Sequence, residues 1–359
     1  MRTKTFLIAG IAGLSTPLLA QALEPSKVVS LEVKKAAFDQ ADAAKATGEL
    51  AAALEENYVF PDNGRAYAAM LRANLAAGKY TAFTDAESFA EKVTADLQMV
   101  HKDKHVRLRP VTDEQRAQRR APNGGPPTVS TVGKAGWLAD GVAYIDLRGL
   151  PGNEATLADV RKFLTAHGEA KNLIIDVRHN GGGGLAEMNL IFAEIFAKPT
   201  TLVVMDIRRA VEEKHGAIFG DDPLMRKVSA PATIIRREHF ATPAARQSGL
   251  RDAKVFLLTS KKTFSAAEHL SLSLKRTHRA TLIGEATGGG AHFGGMVPMG
   301  SGYAAFIPAG RTFDPDTGQS WEGTGVAPDI AVPADTALDE ALRRAGVAKT
   351  SAAALAALR

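Results

Sequence analysis

The chain has 359 residues, of which 45% are hydrophobic and 23% are charged, and its formal net charge is +5. This length and composition are typical of a globular protein with one large or two modest domains. The sequence contains no cysteine, which excludes disulfides, thiol catalysis and thiolate metal sites. Its positive charges are scattered, without a basic helix or interleaved aromatic residues, so we expect no nucleic-acid partner.

The first 22 residues have the pattern of a secretory signal peptide. Arg2 and Lys4 precede an apolar stretch, and Ala20-Gln21-Ala22 forms a small-residue cleavage site. The alternatives are a buried N-terminal helix and a membrane anchor, but glycine, serine and proline interrupt the stretch, which is short for a span. We therefore expect residues 1–22 to be removed during export to the periplasm, leaving no integral membrane span.

Residues 23–108 are expected to form a small N-terminal helical domain. Two alanine-rich segments have helical spacing, and in the next segment Phe89, Val93, Leu97 and Val100 share one helical face. Residues 109–130 are polar and rich in proline and glycine, which predicts a linker or mobile loop.

From about residue 131 short β-rich runs alternate with helical patterns. The runs are GVAYIDL, NLIIDV, TLVVMDI, ATIIRR, KVFLLTS and ATLIGE, and the helical patterns lie at 154–168, 184–197 and 265–277. This alternation predicts an α/β domain with a largely parallel sheet over residues 131–335. Residues 336–359 are expected to form a helical tail.

The stretch SKKTFSAAEH, residues 260–269, places Ser265 between a buried strand and an amphipathic helix. Ligands of open α/β sheets bind beyond the carboxyl ends of strands, and a free helix N-terminus stabilises an anion. These features favour a nucleophile. However, Ser265 and Glu268 also have the S-x-x-E spacing of a capping box, so spacing alone leaves both interpretations open.

Four glycines, residues 181–184, follow the strand NLIIDV. Glycine lets the backbone approach a ligand closely, so their N–H groups could hold an oxyanion. The same run fits the dinucleotide pattern G-x-G-x-x-A, with Asp206 at a suitable spacing. Three residues separate the strand from the first glycine, where that pattern requires a tight turn, so the nucleotide interpretation is the weaker one.

Several residues could serve a serine nucleophile as its base. His105, His292 and Lys275 are all conceivable, and Glu322, within WEGTGV, is either an exposed loop carboxylate or a group that orients an imidazole. His101, Asp103 and His105 would share one face of an extended segment. Such spacing is weak evidence for a metal, no further ligand cluster is apparent, and we predict no metal and no cofactor.

Three stretches together resemble the tail-specific, or carboxy-terminal processing, serine peptidases. They are LIIDVRHNGGGG, VFLLTSKKTFSAAEHLSLSLKRTHRATLIGEATGGGAH and WEGTGVAPDI, in the family's order. One branch of this family uses a Ser–Lys dyad and carries a PDZ domain, but here GEATGGGAHFGG lacks the lysine. The chain is more similar to the branch of the tricorn protease core and the interphotoreceptor retinoid-binding protein repeats, which has no PDZ domain.

The resemblance implies an α/β fold with a crotonase/ClpP-like core, and it implies roles for the candidate residues. Ser265 would attack the peptide carbonyl, His105 would be the general base and Glu322 would orient His105. The N–H groups of Ala266 and of Gly182 or Gly183 would hold the oxyanion. Lys104 stands where the tricorn pattern has a further serine.

The substrate implied by the resemblance is a peptide or protein, and activity is expected to rise with pH as the histidine loses its proton. Two rivals remain, namely a non-catalytic binding protein for an apolar or lipid ligand and a nucleotide-dependent enzyme. The sequence does not indicate the oligomeric state.

Overall fold

The computed structural model describes residues 38–112, 129–300 and 302–358. The signal peptide predicted at residues 1–22, and all but the ends of the loop predicted at 109–130, lie outside these ranges.

The described residues form nine α-helices and twelve strands, with short 3₁₀ turns at Gly249–Arg251 and Ala334–Thr336. The helices are α1 (Gln40–Asn57), α2 (Pro61–Ala76), α3 (Ala86–Val100), α4 (Glu154–Ala166), α5 (Ala186–Ile195), α6 (Arg209–His215), α7 (Ala266–Arg276), α8 (Ala337–Arg344) and α9 (Ser351–Ala356). The strands are β1 (Leu108–Pro110), β2 (Val132–Ala139), β3 (Val142–Leu147), β4 (Asn172–Asp176), β5 (Thr200–Arg208), β6 (Met225–Val228), β7 (Ile234–Ala241), β8 (Lys254–Thr259), β9 (Thr281–Gly284), β10 (His292–Met299), β11 (Tyr303–Phe313) and β12 (Ile330–Ala331).

The first sheet has the strand order β12–β9–β8–β4–β3–β2 and is parallel except for the β2–β3 pair. Successive side chains along its strands point to opposite faces of the sheet, and both faces are buried. In β3, Ala143 and Ile145 face one apolar core, while Val142 and Tyr144 face another. Helices α4, α5 and α7 cover the first face, and α8 and α9 cover the second. The α/β class predicted from the sequence is thus confirmed.

The second sheet was not predicted, because the sequence indicated a largely parallel arrangement. It has the order β1–β11–β5–β7–β6, with β10 also paired to β11, and all its pairs are antiparallel. Strands β10 and β11 form a long hairpin whose sequence is rich in glycine and proline, residues that are usually depleted in strands. The fold is therefore a mixed α/β one.

Helices α1–α3 precede the core, as expected, and pack against strand β11. Leu50, Tyr67 and Leu97 share a buried cluster with Tyr303 and Ile307 of that strand. Within the three described ranges, no helix is long and apolar enough to cross a bilayer.

The parallel register brings two loops to the same sheet edge. Strands β4 and β8 are neighbours, with Asp176 opposite Leu258, so the segments that follow both strands emerge side by side. Backbone and side-chain bonds then join these segments, since Phe264 N–H donates to Asn180 O at 3.0 Å and Thr263 Oγ1 donates to Val177 O at 2.8 Å. The glycine run and Ser265 therefore lie next to each other.

Candidate active site

Ser265 is the residue immediately before helix α7, and its backbone is strained. Its φ of 56° and ψ of −120° lie in a region that residues other than glycine rarely adopt. Such a conformation persists only where the surroundings enforce it, and it is concentrated at functional sites. The strain distinguishes Ser265 from an ordinary N-cap, which has extended backbone angles.

Glu268 enforces this conformation from the first turn of α7. The side chain is fully buried, and Oε2 accepts from the N–H of Ser265 and of Gly290 at 2.8 Å each. Oε1 accepts from Gly289 N–H and from the Thr287 hydroxyl, both at 2.6 Å. Burial raises the pKa of Glu268 above its usual range, although these hydrogen bonds oppose the rise. Glu268 thus holds Ser265 against the segment before β10.

The glycine run faces Ser265. A Cβ on Gly182, whose φ is +98°, would lie 2.9 Å from Cβ of Ser265 and 3.0 Å from N of Ala266. The N–H of Gly182 donates to Asn180 Oδ1 at 2.8 Å and is engaged. Gly183 lines the cavity beside Ser265, and its N–H has no partner within the described ranges. Of the two glycines named from the sequence, Gly183 therefore offers the free donor.

His105 lies beside Phe264, the neighbour of Ser265 in the sequence. Its ring centroid is 4.6 Å from that of Phe264 and 5.1 Å from that of Phe306. Only 7% of its side chain is exposed, and neither ring nitrogen has a hydrogen-bond partner among the described residues. Burial is the main cause that lowers its pKa to about 4, while the charge of Asp103 opposes the decrease. The imidazole is therefore neutral at neutral pH.

Asp103 fixes the segment that carries His105. Its Oδ1 accepts from the His105 backbone N–H at 2.8 Å, and Oδ2 accepts from the Tyr58 hydroxyl at 2.9 Å. Nδ1 of His292 is 2.7 Å from the same Oδ2. Burial of Asp103 raises its pKa, but the bond with His292 and the nearby imidazole charges outweigh this effect and hold the pKa below its usual range.

Glu322 completes this group from the loop before β12. Its Oε2 accepts from the N–H of Ala291 at 2.6 Å and of His292 at 3.2 Å, and Oε1 is buried without a partner in the described part of the chain. One oxygen of Glu322, one nitrogen of His105 and one oxygen of Asp103 all lie within 4.8 Å of one another. Burial raises the pKa of Glu322 to about 7.

A cavity of about 460 Å³ opens beside Ser265. Gly183, Ala266 and His292 contribute to its walls, whereas neither His105 nor Phe264 beside it is part of the wall. Most of the remaining wall is apolar. It consists of Leu185, Ala186, Met205, Ile218, Phe219, Ala291, Phe293 and Trp321 together with a few polar residues.

Three residues singled out from the sequence lie elsewhere. Lys275 is near the far end of α7, where its Nζ donates to Ala327 O at 2.7 Å. His101 is not in the group of Asp103, His105 and Glu322, and its carbonyl accepts from the Tyr67 hydroxyl at 2.9 Å. Asp206 is buried in the second sheet, where Arg236 binds both its oxygens at 2.6 and 2.8 Å. Asp206 is therefore not available to bind a ribose, and the nucleotide hypothesis loses its acidic residue.

Sequence reasoning missed a buried histidine pair near the cavity. Nδ1 of His239 is 2.8 Å from Nε2 of His269, which lies one helical turn after Ser265. His269 lies four residues after Ser265 in a predicted helix, and this spacing could have indicated that it is near the site. Nothing in the sequence of β7 indicated that His239 would contact it. The contact of Tyr58 with Asp103 was likewise unforeseen, because the two residues are 45 positions apart.

Comparison with known proteins identifies the family. Residues 141–332 match the model of Peptidase family S41, which is more than half of the chain, and residues 40–134 match the N-terminal domain of Peptidase_S41 in eukaryotic IRBP. The chain belongs to peptidase family S41. The family and the branch inferred from the sequence motifs are thus confirmed, and this S41 protein is a serine peptidase acting on a peptide or protein.

Solved structures agree with this fold. The photosystem II D1 C-terminal processing protease is 16% identical and has a TM-score of 0.51, and the match covers 84% of this chain and 96% of that one. A lipoprotein from Streptococcus agalactiae is 14% identical with a TM-score of 0.51, and the match covers 84% of this chain and 95% of its own. At such identities the similarity shows the fold alone.

Proposed function

We propose that this S41 peptidase is an exported serine endopeptidase of the carboxy-terminal processing type, with Ser265 as nucleophile, His105 as base and Glu322 as the carboxylate that supports His105. One observation carries the proposal. Both nitrogens of His105 and Oε1 of Glu322 are buried without hydrogen-bond partners among the described residues, although Asp103 Oδ1 lies 3.8 Å from Nδ1 of His105, and one ligand atom of His105 lies within 4.8 Å of one of Glu322.

Unpaired buried polar groups are costly and therefore informative. Each lost hydrogen bond of this kind costs about 1–3 kcal/mol, and most buried polar groups in proteins are paired. Catalytic hydrogen bonds, however, are often long in the free enzyme and tighten only when substrate binds. The unpaired His105 and Glu322 fit a base and its support waiting for substrate better than they fit a structural pair.

The proposed mechanism assigns each group one task. Ser265 Oγ attacks the carbonyl carbon of the substrate, and neutral His105 takes the hydroxyl proton and later gives it to the leaving amine. The imidazolium that forms is stabilised by the carboxylate of Glu322. The N–H groups of Ala266, at the start of α7, and of Gly183 stabilise the negative oxygen of the tetrahedral intermediate.

A paired substitution tests the nucleophile and the base. Ser265→Ala should abolish peptide hydrolysis and labelling by a fluorophosphonate probe, and His105→Gln should reduce kcat by at least about 10³-fold without unfolding the protein. His292→Gln is the matched comparator, because His292 lies at the cavity wall and its Nδ1 is held by Asp103. A larger loss of kcat in His292→Gln than in His105→Gln would make His292 the base.

The same probe separates hydrolysis from ligand binding. The alternative is a non-catalytic protein that binds an apolar or lipid ligand in the same cavity. Failure of the wild-type protein to react with fluorophosphonate, together with tight binding of a lipid, would favour the binding protein over the peptidase.

Export to the periplasm belongs to the proposal and rests on residues 1–22. The expected mature chain begins at Leu23, after the Ala20-Gln21-Ala22 site. N-terminal sequencing of the protein from the periplasmic fraction tests this cleavage. Recovery of an uncleaved chain from the cytoplasm would contradict it.

A further inference from the structure

One carboxylate lies in the wall of the cavity beside Ser265. Asp222 lines this cavity together with Ser265, and its side chain belongs to a half-buried residue. Among the described residues, no other aspartate or glutamate and no lysine or arginine contributes to the wall. The sign of the charge that a substrate meets next to the proposed nucleophile is therefore set by Asp222.

The loop at 216–224, between α6 and β6, holds Asp222 at the cavity. Oδ1 accepts from the N–H of Leu224 at 2.8 Å, and the backbone N–H of Asp222 donates to Phe219 O at 3.2 Å. The ring of Phe219 packs against Phe293 of β10, with 5.5 Å between the two centroids. Oδ2 has no hydrogen-bond partner in the described part of the chain, so the carboxylate keeps one oxygen for a ligand.

The protein does not compensate the negative charge of Asp222. Arg226 and Arg237, on the two strands that follow the loop, form ion pairs with Glu238 and Glu212 instead. No ion pair within the described ranges includes Asp222. An uncompensated charge in a cleft with walls of low dielectric constant focuses its field there and attracts the opposite charge.

The other polar side chains of the wall do not offset this charge. His269 is neutral, because burial lowers its pKa well below the usual value. Nδ1 of His292 is 2.7 Å from Oδ2 of Asp103, so this second carboxylate balances any proton charge on that ring. The remaining polar wall residues, apart from Ser265, are the uncharged Asn189 and Thr312. Such groups bond to any polar ligand, so only the loop carboxylate distinguishes a cation from a neutral group or an anion.

Apolar side chains also contribute to the wall. Met205, Ile218 and Phe219 line the cavity, whose volume is about 460 Å³, and the last two belong to the same loop as Asp222. The hydrocarbon stem of lysine or arginine packs on apolar surface while its charged head remains among polar groups. A wall with apolar parts and one carboxylate therefore fits such a side chain better than an acidic one.

We propose that this cavity binds a lysine or arginine side chain of the substrate next to the scissile bond, and that Asp222 selects it by its charge. The assignment rests on the proposed function of Ser265 as nucleophile, since Ser265 lines the same cavity. Asp222 takes no part in proton transfer, and its task is to bind the cationic head. A carboxylate there also disfavours acidic substrate residues, because like charges repel.

The test measures peptide binding to the Ser265→Ala protein, which lacks the nucleophile. Three octapeptides of alanine and glycine with blocked termini differ only in the central residue, which is lysine, norleucine or glutamate, and each is titrated by calorimetry. Norleucine keeps the four carbons of the lysine stem without the charge. The lysine peptide should bind at least about tenfold more tightly than the norleucine peptide, and the glutamate peptide should bind most weakly. Equal affinity for lysine and norleucine, tightest binding of glutamate, or no binding of any peptide would overturn the assignment.

Two neighbouring aspartates provide a matched pair of substitutions. Asp222→Asn removes the charge but keeps Oδ1, which accepts from Leu224, so the loop can retain its conformation. Added to Ser265→Ala, it should reduce the lysine-to-norleucine ratio of affinities to about one. Asp221→Asn, at an exposed residue outside the cavity wall, should leave the ratio unchanged. Equal ratios in the two variants would refute the role of Asp222.

Reversal of the charge gives a result that partial unfolding cannot imitate. Asp222→Lys, added to Ser265→Ala, should bind the glutamate peptide more tightly than the lysine peptide. The comparison uses two ligands of the same protein, so a smaller folded fraction does not change their order. A preference for lysine that survives the reversal would refute the assignment.

Hydrolysis by the wild-type protein is measured separately. Selective binding of the lysine peptide to the Ser265→Ala protein, without its hydrolysis by the wild type, would refute the proposed peptidase mechanism alone. Hydrolysis of the lysine and norleucine peptides with equal kcat/KM would refute the cation assignment alone.

Discussion

At the residue scale, the candidate site combines the proposed base, His105, whose pKa is lowered, with a carboxyl, Glu322, whose pKa is raised. Burial is the main cause of both changes. It lowers the pKa of His105 to about 4 and raises the pKa of Glu322 to about 7. Near neutral pH the histidine is ready to accept a proton, so the ionisation of Glu322 determines how well the resulting imidazolium is stabilised.

The pH dependence of hydrolysis should therefore report Glu322. In the wild-type protein kcat/KM should rise with pH through about 7, because ionised Glu322 stabilises the imidazolium and protonated Glu322 does not. Glu322→Gln should have a lower plateau and no step near 7, with its remaining acid limb near the pKa of His105. A step near 7 that survives in Glu322→Gln would assign that ionisation to another group.

Gly182 provides a second test at this scale. A methyl group on Gly182 would lie 2.8 Å from Phe264 O and 3.0 Å from Ala266 N, at a φ of +98°. Gly182→Ala should therefore disturb the oxyanion donors and reduce kcat by about 10²–10³-fold. Gly181→Ala is the control, because nothing lies within 4 Å of that Cβ. Equal kcat values for the two variants would contradict the close approach of the glycine run to Ser265.

At the element scale, the start of helix α7 shows that Ser265, the proposed nucleophile, also belongs to a capping box. Glu268 accepts from Ser265 N–H as a capping box requires, and it also binds the segment at 287–290. The two interpretations that the sequence left open are therefore compatible, and the φ of 56° separates this position from a simple cap.

The strain at Ser265 predicts a difference between two inactive variants. Ser265→Gly and Ser265→Ala should both lose hydrolysis, but the glycine variant should be more stable by about 1 kcal/mol, because glycine adopts positive φ without a steric cost. Urea unfolding of the two proteins measures the difference. Ordinary N-caps also tolerate glycine better than alanine, so greater stability of Ser265→Ala would contradict both strain and a capping role at this position.

The sequence predicted elements well where the pattern is local. Helices α4, α5 and α7 and the buried strands β3, β4 and β8 follow from apolar spacing. The antiparallel sheet was not predicted, because β10 has the sequence HFGGMVPM, whose glycines and proline are typical of a loop. This segment is a strand because it pairs with β11, which lies later in the chain. The proximity of His105 to Phe264 joins residues far apart in the chain, and only the resemblance to a family indicated it.

At the scale of the whole molecule, buried neutral histidines make the free energy of unfolding depend on pH. His239 has an ordinary pKa of 6.5 in the unfolded chain and about 4 in the folded protein. Between these values the unfolded state binds a proton that the folded state does not, so the free energy of unfolding decreases as the pH falls from 6.5 to 4. The full contribution of His239 is about 3 kcal/mol.

This coupling is measurable by urea unfolding at several pH values. The wild-type protein should lose stability steadily below pH 6.5, and His239→Leu should show a smaller loss over the same interval, even if the variant is less stable throughout. His215→Gln, on the exposed surface, serves as the control and should keep the wild-type pH dependence. The same dependence in His239→Leu as in the wild type would show that other groups cause the acid sensitivity.

The segment of His105 is held by Tyr58 and His292 through Asp103, and these contacts join the N-terminal helical region to the start of strand β10. An incomplete polypeptide that stops before residue 292 lacks half of this clamp and also lacks Glu322. The proposed site is therefore complete only when the chain has been made as far as Glu322 and this region has packed against the N-terminal helices, so a nascent chain would gain hydrolytic activity only after that point.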